Sequence, residues 1–262
     1  MKIIISIILS CLLVSCSYKG IVISNLPYLI TNRVDNRLDL TGEQFDQMKE
    51  NITKYLAQNK ASISNLNKEF QKFDIKETNK KEFYQEVRKR YIKIAHNFVP
   101  LLTKTMSTFN EEQIKEFIRK DHKNLKKREE KFTNAAPDYF VARYERFFGD
   151  LTQKQKSYIK SKFDTLRKSQ QNWMMKRNLF HTQLKVIFEY SKDTKESGDS
   201  LEQKLTDAFK NYIYKSTKYK DRELAFKVLE GFIPSLTTEQ LEFFEQNKVE
   251  INEWIEIYVT KY

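Results

Sequence analysis

The chain has 262 residues and carries 47 Lys plus Arg against 35 Asp plus Glu, a formal net charge of +12. It contains only five glycines and four prolines, where an average chain gives roughly 12% of its residues to these two types. An all-β sandwich, a doubly wound α/β fold or a glycine-rich nucleotide loop therefore has little to be built from. A composition that is 40% hydrophobic and 31% charged, with 19 Phe and 14 Tyr, supplies a core and excludes global disorder. The expectation is an all-α, extended multi-helix bundle with one long central helix.

Lys2 is followed by an apolar run from Ile3 to Val14 that stops at Ser17-Tyr18-Lys19-Gly20. The run is shorter than the roughly 20 residues of a membrane span and fits the apolar region of about 7–15 residues in an export signal. Leu13-Val14-Ser15-Cys16 resembles the lipobox of bacterial lipoproteins; Ile8-Leu9-Ser10-Cys11 is a weaker competitor. The resemblance implies cleavage before Cys16 and a diacylglycerol thioether on its sulfur. Ser17 stands where the resemblance would put Asp for inner-membrane retention, so outer-membrane delivery facing the periplasm is expected.

On this reading residues 1–15 are a signal peptide and residues 16–40 a lipidated N-terminus and tether. Residues 41–262 form one helical domain, whose polar stretch 191–200 is the place where it would divide. Loss of residues 1–15 removes Lys2 and no acid, so +12 becomes +11. With Cys11 removed and Cys16 acylated, no thiol remains for a disulfide, a metal or a nucleophile. A basic protein in the envelope meets the membrane, lipopolysaccharide phosphates, cell-wall polymers or acidic proteins, and no nucleic acid.

Helical spacing begins at Phe45, Met48, Ile52 and Leu56. A second helix is expected over Ile63–Phe73, and a third through Phe83, Val87, Tyr91 and Ile94, interrupted or kinked by Pro100. A charged helix with Ile114, Phe117, Ile118 and Leu125 leads to a break at Asn134-Ala135-Ala136-Pro137. A short aromatic helix over Tyr139–Phe148 follows, with Gly149 as its C-cap. The longest helix is expected over Thr152–Tyr190, and two or three more complete the chain, punctuated by Gly231 and Pro234.

Four helix starts share a pattern: Leu40-Thr41-Gly42-Glu43-Gln44, Phe109-Asn110-Glu111-Glu112-Gln113, Leu151-Thr152-Gln153-Lys154-Gln155 and Leu236-Thr237-Thr238-Glu239-Gln240. Each is a capping box, in which Thr or Asn accepts from a first-turn N–H and Gln reaches back to the cap N–H. Irregular spacing rules out a solenoid repeat. The boxes resemble the Leu-Thr-x-x-Gln motif of periplasmic chaperones of the Spy and CpxP type, which implies binding of unfolded clients. Cys16, Val34 to Gln44 and Arg143 to Gln155 together resemble an uncharacterised family of helical proteobacterial lipoproteins, a domain of unknown function. That resemblance implies an all-α lipoprotein and no activity.

No nucleophile elbow, phosphate loop or His-Glu-x-x-His motif is present. His96, His122 and His181 lie on separate expected helices, so no metal, no cofactor and no catalytic residue is assigned, and an enzyme is not expected. The strongest feature is charge segregation. Leu151–Arg177 carries eight basic residues against Asp164, and Ser235–Tyr262 carries six Glu against two Lys. Either the acidic last helix lies beside the basic one, or the basic helix faces an anionic partner.

Gln170 and Arg177 interrupt the apolar stripe Ile159, Phe163, Leu166, Trp173, Phe180, Leu184 and Ile187, and if buried they must be paired or line a groove. The binding candidates are Lys154, Lys160, Arg167, Gln170, Trp173, Met174 and Arg177. The expected function is non-catalytic binding of acidic or unfolded protein clients, as a chaperone or adaptor. The alternative is a structural or trafficking lipoprotein for lipid, lipopolysaccharide or cell wall.

Overall fold

A computed structural model describes residues 18–133, 137–194 and 198–262. The signal, the lipobox and Cys16 lie outside the described residues. Residues 18–24 are helical and lead into α1 (Leu26–Leu38). Then come α2 (Gly42–Gln71), α3 (Lys80–Met106), α4 (Glu111–Thr133), α5 (Pro137–Phe148), α6 (Gln153–Ser161) and α7 (Phe163–Thr194). The last three are α8 (Asp199–Ser216), α9 (Glu223–Phe232) and α10 (Thr238–Lys261), and short 3-10 turns flank α9. Every regular element among the described residues is helical, as the scarcity of glycine and proline requires.

The 16–40 tether, helical from residue 18, packs on the body, with Ile23, Pro27, Thr31 and Leu38 buried. Other elements differ from those expected. The two helices expected within 45–73 are one, because the polar gap between them is satisfied across to α3: Asn97 Nδ2 donates to Asn59 Oδ1 at 2.8 Å. Pro100 does not stop α3. It removes one backbone donor, but Val99 and Thr103 beside it are 2% and 0% exposed, and tertiary packing carries the helix through. The long helix expected from Thr152 is broken at Lys162 (φ −100°, ψ 11°), which turns α6 toward α5 while α7 proceeds along α4 and α8. At 32 residues α7 is still the longest helix described.

Helices α1, α2, α3, α8, α7 and α4 each pack on the next, and α4 returns to α1, closing a ring. Leu38, Met106, Phe117, Leu184, Phe188 and Leu205 fill it at one end. A second core, rich in Phe, lies toward the opposite ends of α2, α3 and α7. There Phe140, Phe148, Ile159, Phe232 and Phe244 enclose Phe73 and Ile75 from the α2–α3 connection. A third core joins α1, α2 and α10 through Ile23, Met48, Ile52, Leu56 and Tyr258. Residues on both sides of 191–200, among them Phe188 and Leu201, share the first core. Gly149 ends α5 with φ 71°, the left-handed cap its position predicts.

All four capping boxes form, and they form in pairs. Gln113 Nε2 donates to Gln44 Oε1 at 2.7 Å and to the Asp39 carbonyl at 3.0 Å, and Gln44 Nε2 donates to Thr108 Oγ1 at 3.1 Å. The second pair is more buried, with Gln155 2% and Gln240 4% exposed. Gln155 donates to Gln240 Oε1 and the Ser235 carbonyl, both at 2.7 Å. Gln240 returns bonds to Gln155 Oε1 at 2.9 Å and the Asp150 carbonyl at 2.7 Å. Each glutamine thus caps its own helix and clasps another. Two positive helix ends are brought side by side with amide oxygens between them.

Gln155→Ala removes the partner of the Ser235 carbonyl, the cap of Thr152 N and both bonds to the Gln240 amide, so its expected cost is about 2–3 kcal/mol. Gln44→Ala, in the more exposed clasp, is expected to cost about 1 kcal/mol. Urea midpoints at constant slope check both values. In a double-mutant cycle, Gln155→Ala with Gln240→Ala costs less than the sum of the single changes.

Candidate binding site

Beside the core that fills the helix ring, α8 packs on both α3 and α7. They leave a cavity of about 460 Å³ lined by Tyr84, Arg88, Tyr91, Trp173, Tyr212 and Arg222, with Ile213, Ser216 and Thr217 along α8. Tyr84, Arg88 and Tyr91 recur at one helical face of α3, at steps of 4 and 3. The Arg88 guanidinium is held by donation from Nε to Thr217 Oγ1 at 3.2 Å and from Nη2 to the Tyr214 carbonyl at 3.1 Å. It also lies over the Tyr214 ring at 4.9 Å. Two of its five N–H groups are used in this way, and the others are left for a ligand.

Tyr84 donates to the Thr217 carbonyl at 2.8 Å and packs edge-on against Phe226. Burial raises its pKa, against the opposing pull of Arg222. Tyr212 stacks on Phe180 at 4.4 Å between ring centroids. Burial raises its pKa too, and Arg177 works in the opposite direction. No carboxylate lines the cavity.

Arg177 lies over Trp173 at 5.5 Å, and its Nε is buried without a hydrogen-bond partner. Burial lowers its pKa, and the Arg128 and Arg37 guanidiniums add to the effect. Arg37 is lowered by burial, then by Arg128 and Arg33. None of these four arginines has an ion pair among the described residues. The acid felt by both Arg37 and Arg177 is Asp121, which abuts Nδ1 of His181 across the α4–α7 contact. Positive charge is therefore concentrated around Arg177, which lies over Trp173, with Asp121 as the acid that both Arg177 and Arg37 feel.

Of the residues expected to bind, Trp173 lines the cavity and Arg177 stacks on it; the others are placed elsewhere. Met174 is 7% exposed and belongs to the core, while Met175 is 58% exposed. Lys154 is exposed, Lys160 pairs with Asp138 at 2.7 Å, and Arg167 lies over Phe163 with a buried, unpartnered Nε. Gln170 is half-buried.

The acidic helix α10 packs on α2 and α5, and its glutamates Glu242, Glu245, Glu250 and Glu253 flank a shallow groove of their own. Cations of 151–177 pair instead with Glu145, Asp138 and Asp221. On the outer face of α7, Met175, Leu179, Val186 and Tyr190 are 58%, 64%, 56% and 53% exposed. Their steps of 4, 7 and 4 keep them on one side over about 22 Å.

Sequence reasoning missed Tyr84, Arg88, Tyr212 and Arg222. The step from Tyr84 to Arg88 to Tyr91 was a readable signal, but its meaning depends on α8 lying opposite. Among the described residues, no group of three or more His, Cys, Asp or Glu is placed to hold a metal ion. No helix of the described residues is long and apolar enough to cross a membrane. No curated protein and no solved structure matches the chain. Residues 36–213, from the end of α1 to near the end of α8, match the model of a family of unknown function, DUF6279, and the chain belongs to that family.

Proposed function

We propose that this protein is a non-catalytic binding lipoprotein, anchored to the outer membrane through Cys16 and facing the periplasm, that acts as a chaperone or adaptor for acidic or unfolded segments of client proteins. The observation that carries this reading is the cavity at Trp173. Arg88 and Arg222 line it with Arg177 beside Trp173, tyrosines furnish apolar walls with polar tips, and no carboxylate is among the lining residues. Its volume falls within the range of pockets that hold small ligands, enough for a few side chains of an extended segment. The exposed stripe on α7 adds an apolar surface for the rest of such a segment. The paired capping boxes support helix ends, so the likeness to Spy-type motifs enters only as a helix-start chemistry and adds no client site.

Mass spectrometry of the mature protein is expected to find a diacylglyceryl Cys16 at the N-terminus, and Cys16→Ser is expected to release the protein from the membrane fraction. An unmodified Cys16 or an intact Met1 overturns the anchor. For the cavity, Trp254→Phe leaves Trp173 as the sole tryptophan. Its fluorescence is expected to titrate with an oligoglutamate peptide and to lose that response as salt rises. Arg88→Ala is expected to weaken the binding about tenfold. Equal binding of oligolysine, or no response to oligoglutamate at low salt, overturns the site.

A further inference from the structure

Tyr18, Ile21, Tyr28 and Leu29 are 61%, 58%, 47% and 44% exposed. Hydrogen bonds from Asn25 N to the Ile21 carbonyl at 3.1 Å and from Leu29 N to the Asn25 carbonyl at 2.9 Å carry the helical course across the turn at Asn25. At 3.6 residues per turn the four side chains then fall within about 100° of one another. The remaining exposed positions of residues 18–37 are Ser24, Asn25, Asn32, Arg33, Asn36 and Arg37, so Arg33 flanks this face, Arg37 lies further round toward α4, and no acid is exposed among these residues. Its reverse side, through Ile23, Pro27, Thr31 and Leu38, is buried in the body.

The two tyrosine rings are braced from within, Tyr18 edge-on to Trp254 and Tyr28 edge-on to Phe45. Lys19 pairs with Glu253 at 2.6 Å, which offsets the acid that touches this helix.

We propose that this face lies on a bilayer bearing anionic headgroups, with Tyr18, Ile21, Tyr28 and Leu29 at the interface and Arg33 and Arg37 against lipid phosphates. Apolar and aromatic residues on one side of a helix, flanked by arginine and free of acid, match the chemistry of interfacial helices. The chain outside the described residues ends at Ser17, and Tyr18 lies two residues from Cys16. A lipid on that cysteine holds this face within about 7 Å of chain length from the anchor. A second copy is the competing occupant. Four half-exposed side chains offer roughly 400 Å², about half of the roughly 800 Å² per partner of a standard interface.

The inference rests on the envelope placement proposed above and is separable from acylation. The chain from residue 17 onward contains every residue of the described fold and carries no lipid. It is expected to float with vesicles of phosphatidylcholine mixed with phosphatidylglycerol and to leave pure phosphatidylcholine vesicles largely unbound. Ile21→Asp with Leu29→Asp, and separately Arg33→Glu with Arg37→Glu, are each expected to weaken this binding about tenfold with the helical circular dichroism retained. Lys93→Glu with Lys123→Glu makes the same charge change at exposed positions on α3 and α4 and is expected to leave it unchanged.

Failure of the parent chain to bind mixed vesicles overturns the proposal. So does undiminished binding by both N-terminal variants, or a dimer in sedimentation that Ile21→Asp with Leu29→Asp dissociates. Vesicle binding together with an unmodified Cys16 in the exported protein overturns the anchor alone.

Discussion

Two helix N-termini placed side by side repel, because each carries the positive end of an aligned peptide dipole and several N–H groups without intrahelical partners. The fold depends on making this juxtaposition stable twice, at Gln44 with Gln113 and at Gln155 with Gln240. In each case one side chain serves two masters. Its amide oxygen accepts from the cap N–H of its own helix, and its amide nitrogen donates to the other helix or its approach. The N-termini of α2 and α4, and of α6 and α10, are held together by that double demand. The helix ring and the Phe-rich core are built outward from these two fixed corners.

Local chemistry made helix starts readable, because a capping box is complete within four residues. Helix ends and continuities were less readable. The polar stretch around Asn59 reads as a break until Asn97 is known to lie across from it, and Pro100 reads as an interruption or a kink until Val99 and Thr103 are known to be buried. The bend at Lys162 has no proline or glycine to announce it. It follows from α5 and α8 offering different surfaces to α6 and α7.

The candidate site divides along the same line. Trp173 and Arg177 stood out as interruptions of an apolar stripe, a property of one helix. Arg88, Tyr212 and Arg222 come from elements brought opposite only by the ring, so their convergence could not be read locally. Charge segregation was visible as composition and left two neighbours open: the acidic α10 meets the basic α6 at the clasp of their N-termini, packs its length on α2 and α5 and presents its glutamates separately. The positive excess is expressed around Arg177, whose guanidinium feels those of Arg128 and Arg37 and the carboxylate of Asp121, itself against His181.

The second clasp joins residues 85 positions apart. During synthesis, which runs from the N-terminus, the start of α6 is present long before its partner. Gln155 then has only its own cap to satisfy, and the Phe-rich core lacks Phe232 and Phe244. The first clasp closes over 69 positions, with most of the chain still to come. The two halves of the molecule therefore reach their native corners at different times, and the part containing Phe148 and Ile159 stays open until the last helix arrives.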